Sequence, residues 1–211
     1  MNATHELATH LGKNFESGHL VWDATKLTRT LEAFKDWYAF QNDKEALYLY
    51  TRRETNDLAW LPHIAFVREV QAAQPQTKDA LDFMCATGWN GMRFGATAFA
   101  DYKTRCSDFL RQRVKRRNLD VKVYDLGKDA VPIYPCVVCF DAAHRFEDPL
   151  DLVATLAQLG EFVVMDADSR QVDALALVDV IGDAYHIINH RVVNHYVHLV
   201  AFKTDAQIEE E

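Results

Sequence analysis

From residue 79 onward, short apolar runs alternate with amphipathic segments, and this alternation restricts the fold more than any other feature of the chain. Runs 79–84 (DALDFM), 96–101 (ATAFAD), 121–125 (VKVYD), 135–142 (PCVVCFDA) and 161–166 (EFVVMD) have the length and apolar content of strands. Between them, 90–95, 103–118 (KTRCSDFLRQRVKRRN), 149–159 and 172–181 read as helices, with Asn118 as a C-cap and Gly160 as a stop. Strands separated by helices must cross over to the next strand, so they pair in parallel with helices on both faces of the sheet. The last apolar stretch, 184–204 (AYHIINHRVVNHYVHLVAFKT), holds two strands joined by a short turn at Val193 and Asn194, a connection that only an antiparallel hairpin allows. The expectation is an α/β fold: a mostly parallel seven-stranded sheet with a C-terminal antiparallel hairpin and one reversed strand near its edge.

Residues 1–75 lack a strand pattern of this kind. They carry helical patterns (LTRTLEAFKDWYAFQ and AWLPHIAFVREVQAAQ) around YLYTRRETND, and read as a helical cap on a core spanning 76–205, followed by an acidic tail at 206–211. A chain of 211 residues is long enough for one sizeable core and too short for two ordinary domains.

The net charge of −8 argues against a nucleic-acid surface, whose affinity comes mostly from cations on phosphates. No apolar run is long enough to span a bilayer. The start, MNATHELATHLGKNF, lacks the basic and apolar regions of a secretory signal, so a cytoplasmic location is expected. Cys136 and Cys139 form C-V-V-C, but side chains three apart on a strand point to opposite faces and cannot converge on one metal ion.

Ligands of open α/β sheets bind outside the carboxyl ends of the strands. After the first strand comes CATGWNG, where Gly88 and Gly91 permit a tight turn into a helix. No G-K-[ST] follows, which removes the lysine and hydroxyl of a triphosphate-binding loop. The second strand ends at Asp101, about 20 residues beyond the loop, where a carboxylate can accept both hydroxyls of a ribose. The third ends at Asp125, positioned for an exocyclic amine, and the fourth runs into Asp141, Ala142, Ala143 and His144. Together these describe a nucleoside site without a phosphate clamp.

Read in order, ALDFMCATGWNG, FADYKTRCSDFLRQRV, VKVYDL, VVCFDAAHRFEDPLDLVATL and GEFVVMDAD resemble the successive motifs of the class I S-adenosylmethionine (SAM)-dependent methyltransferases, over about two thirds of the chain. The resemblance implies a Rossmann-like fold and assigns roles. Asp82 is the acid that supports the first loop, and Gly88 is the last glycine of that loop. Asp101 is the ribose acid, with Tyr102 packing on the adenine; Asp125 and Leu126 hold the adenine edge. Asp141 and Ala142 approach the methionine portion. The chain departs from the pattern at Met84 and Ala86, which replace the first two glycines of the family loop.

His144 is a candidate general base, because an imidazole titrates near neutrality. Asp141 and Tyr38 are the other candidates for acting on an acceptor. Within the aromatic-rich cap, Tyr50, Arg53 and Trp60 are candidates for substrate contact, by hydrogen bonding or by an aromatic face against a cation. His186, His190, His195 and His198 invite a metal reading. His186 and His190 can share a strand face, but His195 and His198 cannot share one with each other, and no metal is expected. The basic run RQRVKRR reads as a solvated helix face. No Asn-Pro-Pro-aromatic sequence follows the fourth strand, so the expected partner is a small molecule rather than nucleic acid or membrane, bound by a monomer or homodimer.

Three functions fit these residues. The first is methyl transfer from SAM to a small molecule. The second is a SAM cyclase, in which the cofactor is the sole substrate and yields azetidine-2-carboxylate and methylthioadenosine. The third is a non-catalytic binding relative.

Overall fold

The computed structural model describes residues 3–10, 47, 51, 61–143, 146, 149–170, 173–193 and 195–203. The apolar runs pair as expected. Strands β1 (Ala80–Phe83), β2 (Ala98–Asp101), β3 (Lys122–Asp125), β4 (Tyr134–Cys139) and β5 (Gly160–Asp168) are parallel, and β6 (Tyr185–Val193) and β7 (Tyr196–Lys203) form the terminal hairpin. The order across the sheet is β3-β2-β1-β4-β5-β7-β6. β7 runs against both β5 and β6, so the reversed strand lies one place in from the edge.

Helices α1 (Ala3–His10), α2 (Leu61–Ala73), α3 (Trp89–Phe94), α4 (Arg105–Arg117), α5 (Pro149–Leu159) and α6 (Ala174–Ala184) accompany the sheet. Strand residues sort between two cores by parity, as the pleat requires. Leu81, Val137, Cys139, Val163 and Leu199 pack with Leu152 and Leu156 of α5 and Leu177 and Ile181 of α6. Ala80, Cys136, Val138, Phe162 and Val200 pack with Phe66 and Val70 of α2 and Phe94 of α3. Phe66, Phe94 and Phe162 are each fully buried and each contribute about 1.5–3 kcal/mol. Cys136 and Cys139 fall in opposite cores, as their strand spacing requires. Burial pushes the Cys136 thiol up to about 12 and the Cys139 thiol well above the ordinary thiol range.

Local chemistry explains the bounds of α4. Thr104 caps its first turn in a reciprocal box with Ser107, and Asn118, at φ 50°, closes its last turn onto the Lys115 and Val114 carbonyls. Asp108 near the start and Lys115, Arg116 and Arg117 near the end suit the helix dipole. The expectation of a solvated basic face is corrected at two positions. Arg113 has no solvent exposure and Arg117 is half-buried, and both bind Glu6 of α1. Their partner lies 107 and 111 residues away, so helical periodicity carries no sign of it.

The hairpin also departs from its expected register. An irregularity between Ile187 and Asn189 sets His186 opposite Phe202 and His190 opposite Leu199. Those partners alternate along β7, so His186 and His190 fall on opposite faces rather than sharing one. Among the described residues, no helix is long and apolar enough to cross a membrane.

Candidate functional site

Strand order reverses between β1, which neighbours both β2 and β4, and its successors, so the crevice outside the carboxyl ends of β1 and β4 is where an open sheet receives a ligand. Two loops border it, 84–88 after β1 and 140–143 after β4.

The β1 loop is braced from below by Asp82, which is buried and accepts the Gly91 N–H at 3.0 Å. Gly91 has to be glycine for this contact, because a Cβ there would lie 2.2 Å from Asp82 Oδ2. Burial pushes the Asp82 carboxyl well above its ordinary range. The Gly91 N–H opposes that rise, and the charges of Asp101 and Asp166 add to it.

The loop itself takes a left-handed path at Met84 (φ 56°), Ala86 (φ 48°) and Gly88 (φ 70°). Gly88 also fills a cradle in which a Cβ would lie 2.4 Å from Leu110 Cδ1. At Met84 and Ala86 the chain keeps a backbone suited to glycine while carrying a side chain, at a cost of about 1–2 kcal/mol each. Such strain persists only where the surroundings over-determine it. The Ala86 N–H donates to Asp101 Oδ2 at 2.6 Å, and the Ala86 methyl packs with Leu7, Leu47, Cys106 and Phe109. The Gly88 N–H donates to the Cys85 carbonyl at 2.7 Å, and the Gly88 carbonyl starts α3 by accepting from Met92.

The carboxyl ends of β2 and β3 sit side by side, with Asp101 and Asp125 in register. Asp101 is 1 % exposed, and its second oxygen accepts the Tyr102 N–H at 2.7 Å. The carboxylate assigned to a ribose from the sequence is therefore also the brace of the β1 loop. Tyr102 beside it is exposed. Asp125 is buried and folds its own turn by accepting the Gly127 N–H at 3.0 Å, while the Leu126 N–H donates to the Asp101 carbonyl. A carboxylate has about four acceptor sites, so bracing a loop and accepting from a ligand are compatible.

β4 ends at Cys139, earlier than the expected run through Ala142, because Asp141 turns left-handed at φ 55°. The Asp141 N–H donates to Asp166 Oδ1 at 2.5 Å, and its own Oδ1 accepts from the Tyr196 hydroxyl at 3.2 Å. Tyr196 reaches this point because β7 is reversed: its first residue lies at the end where the parallel strands finish. Asp166, on β5, pairs across the sheet with His198, which is buried against Phe66 with ring centroids 4.9 Å apart. Ala142 and Ala143 are buried.

The structure thus gathers Asp82, Met84, Ala86, Gly88, Asp101, Tyr102, Asp125, Leu126, Asp141 and Ala142 at one end of the sheet. His144, Tyr38, Tyr50, Arg53 and Trp60 lie outside the described residues. Sequence reasoning missed Asp166, Tyr196 and Arg113. Asp166 carried a signal, as an acid inside a buried apolar run. Tyr196 and Arg113 carried none, since both depend on partners distant in the chain. Among the described residues, no three His, Cys, Asp or Glu side chains are grouped to hold a metal ion.

No protein-family model matches the chain, and no curated protein matches it in sequence. Solved structures do match it in fold. Magnesium protoporphyrin IX methyltransferase (ChlM) from Synechocystis PCC 6803 with bound SAH aligns with a TM-score of 0.57 at 14% identity, over 86% of this chain and 95% of that one. A SAM dependent methyltransferase from Aquifex aeolicus aligns at 0.54 with 9% identity, over 87% and 100%. EvdMO1 aligns at 0.51 with 10% identity over 66% of this chain, which spans 40% of its length. The architecture is the Rossmann-like α/β fold that these structures share.

Proposed function

We propose that this chain is a SAM-dependent methyltransferase that acts on a small molecule by in-line transfer and releases S-adenosylhomocysteine (SAH). The observation that carries the reading is the β1 loop. It lies where strand order reverses, turns left-handed at three alternate residues, and has its Ala86 N–H tied to the acid that ends β2. The fold neighbours with bound SAM and SAH support it.

The residues present fit the cofactor. Gly88 and Gly91 let the loop pack on Leu110 and Asp82, where a Cβ would clash, and Met84 and Ala86 adopt the left-handed backbone that glycine favours. On this reading Asp82 and the backbone of 84–88 hold the methionine portion. Asp101 and Tyr102 hold the ribose and adenine, and Asp125 with Leu126 the adenine edge. When bound, SAM supplies a methyl group already activated on a sulfonium.

The chain's own work is alignment, which in well-oriented systems is worth about 7–11 kcal/mol of barrier. Asp141 and Ala142 border the reacting end. Asp141, fixed by Tyr196 and Asp166, orients a donor group of the acceptor, and His144 and Tyr38 are the proposed groups for taking up its proton. Tyr50, Arg53 and Trp60 of the 1–75 region are the proposed contacts for the acceptor. The same reading takes no metal, and places the enzyme in the cytoplasm as a monomer or homodimer.

The test is to incubate the purified protein with SAM, alone and with pooled candidate acceptors, and to identify the nucleoside product by mass spectrometry. Acceptor-dependent SAH supports methyl transfer. Methylthioadenosine formed from SAM alone assigns the cyclase reaction instead. A calorimetric titration in which neither SAM nor SAH binds removes both enzyme readings and leaves a non-catalytic relative.

A further inference from the structure

One buried charged assembly takes no part in the reading above. Glu6 has no solvent exposure, and its carboxylate accepts from Arg113 Nε at 2.9 Å, Arg117 Nε at 2.6 Å and Arg117 Nη2 at 2.9 Å. Arg113, equally buried, donates through Nη1 to the Thr87 carbonyl at 3.0 Å. Its guanidinium lies 5.6 Å from the ring centroid of Trp89, the first residue of α3, and 5.3 Å from that of Phe109. One residue along α1, Leu7 packs in the same small core as Ala86. Helix α1 therefore meets the β1 loop twice, by an apolar contact at Ala86 and by a polar chain ending at Thr87.

Charges buried this way add little stability that apolar side chains of equal volume would not supply. What a guanidinium adds is direction, because its planar fork can bond a carboxylate on one side and a backbone carbonyl on another. Thr87 is the residue where that direction matters. It sits between Ala86 and Gly88, both left-handed, and on the loop that the proposed function assigns to the cofactor.

We infer that the chain Glu6–Arg113–Thr87 couples docking of the N-terminal helix to the shape of the cofactor loop, which makes Glu6 and Arg113 positioning residues for the adenosyl ligand. The inference rests on the proposed reading of that loop. Coupling of this kind is reciprocal: a ligand that prefers the formed loop holds α1 down by the same factor by which docked α1 tightens the ligand. Arg117 binds both Glu6 oxygens from the outer side, where it is 26% exposed.

The test uses the full chain with SAH as the probe. Amide hydrogen exchange of residues 3–10 is measured with and without SAH, alongside calorimetric affinities of the wild type, Glu6→Gln, Arg113→Lys and, as a control, Glu69→Gln. The last breaks the exposed ion pair between Glu69 and Arg191. SAH is expected to slow exchange in 3–10 of the wild type. Glu6→Gln and Arg113→Lys are expected to weaken SAH binding by about 5- to 150-fold and to abolish that ligand-dependent slowing. Glu69→Gln should leave both unchanged. If SAH binds the wild type tightly and exchange in 3–10 does not move, the coupling is overturned without need of any variant. Wild-type affinity in Glu6→Gln overturns it equally. A wild type that fails to bind SAH at all overturns the reading of the loop first, and the coupling with it.

Discussion

Gly91→Ala tests the bracing of the β1 loop at its tightest point. The new Cβ would lie 2.2 Å from Asp82 Oδ2 and 2.6 Å from Asp82 Cγ, with the Asp82 side chain buried and unable to swing into solvent. Overpacking of a closed site costs about 1–3 kcal/mol. If Asp82 moves away, the lost bond to the Gly91 N–H leaves buried polar groups unsatisfied, at about 1–3 kcal/mol. Against this, alanine is favoured over glycine within a helix by about 1 kcal/mol. The net expectation is a loss of about 3 kcal/mol, or a melting point lower by roughly 6–12 °C for a chain of this size.

Gly182→Ala is the matched comparison. Gly182 lies in α6 with nothing within 4 Å of the point a Cβ would occupy, so the same change there should raise the melting point by roughly 2–4 °C. Differential scanning calorimetry of both variants reads the two signs directly. In an Asp82→Gly background the Gly91→Ala penalty should shrink, since the whole clashing side chain is gone, including the Cβ that would lie 2.6 Å from the new methyl. A Gly91→Ala protein melting within roughly 2 °C of wild type, or an undiminished penalty in the double variant, would refute the account of Asp82 as the brace.

Two acids give opposite pH dependences. Burial pushes Glu6 up, but the hydrogen bonds and charges of Arg117 and Arg113 outweigh it and hold the carboxyl below its ordinary 4.5. Its stabilisation is therefore full above that ordinary value and is lost as pH falls through the lower, folded value, so hydrogen exchange in α1 should rise selectively under acid conditions. Asp82, held high, contributes fully below its ordinary value and loses that contribution as pH rises, so Asp82→Asn should flatten the alkaline side of the stability profile in urea titrations. At Ala86, relief of about 1–2 kcal/mol of left-handed strain is offset by the lost methyl and the freer unfolded chain, so Ala86→Gly should melt within roughly 3 °C of wild type. Ala86→Val, β-branched at φ 48°, should melt far lower; equal melting of the two variants would show that the strain at Ala86 is not real.

Much of the site was legible because it lies at strand ends, and strand ends follow from local pattern. Asp82, Asp101 and Asp125 each close or interrupt an apolar run, and the glycines that follow Asp82 announce a turn. The double role of Asp101 was not legible. Its bond to Ala86 spans 15 residues and depends on how far β1 and β2 slide against each other. The left-handed backbone at Met84 and Ala86 was equally hidden, since neither residue favours that conformation on its own account.

By itself the sequence determined what nearest neighbours along the chain can decide: strand and helix order, the C-cap of α4, the parity that separates Cys136 from Cys139, and a turn too short for any pairing but antiparallel. These depend on spacings of two to four residues, over which backbone geometry leaves few choices. Only the tertiary structure decided that β7 inserts between β5 and β6 and brings Tyr196 to Asp141. It alone shifted the hairpin by one residue and separated His186 from His190. It alone turned a basic helix face inward onto Glu6. Each of these is a contact between segments far apart in sequence, selected by which apolar surfaces and charges must be buried together, and no local pattern encodes that choice.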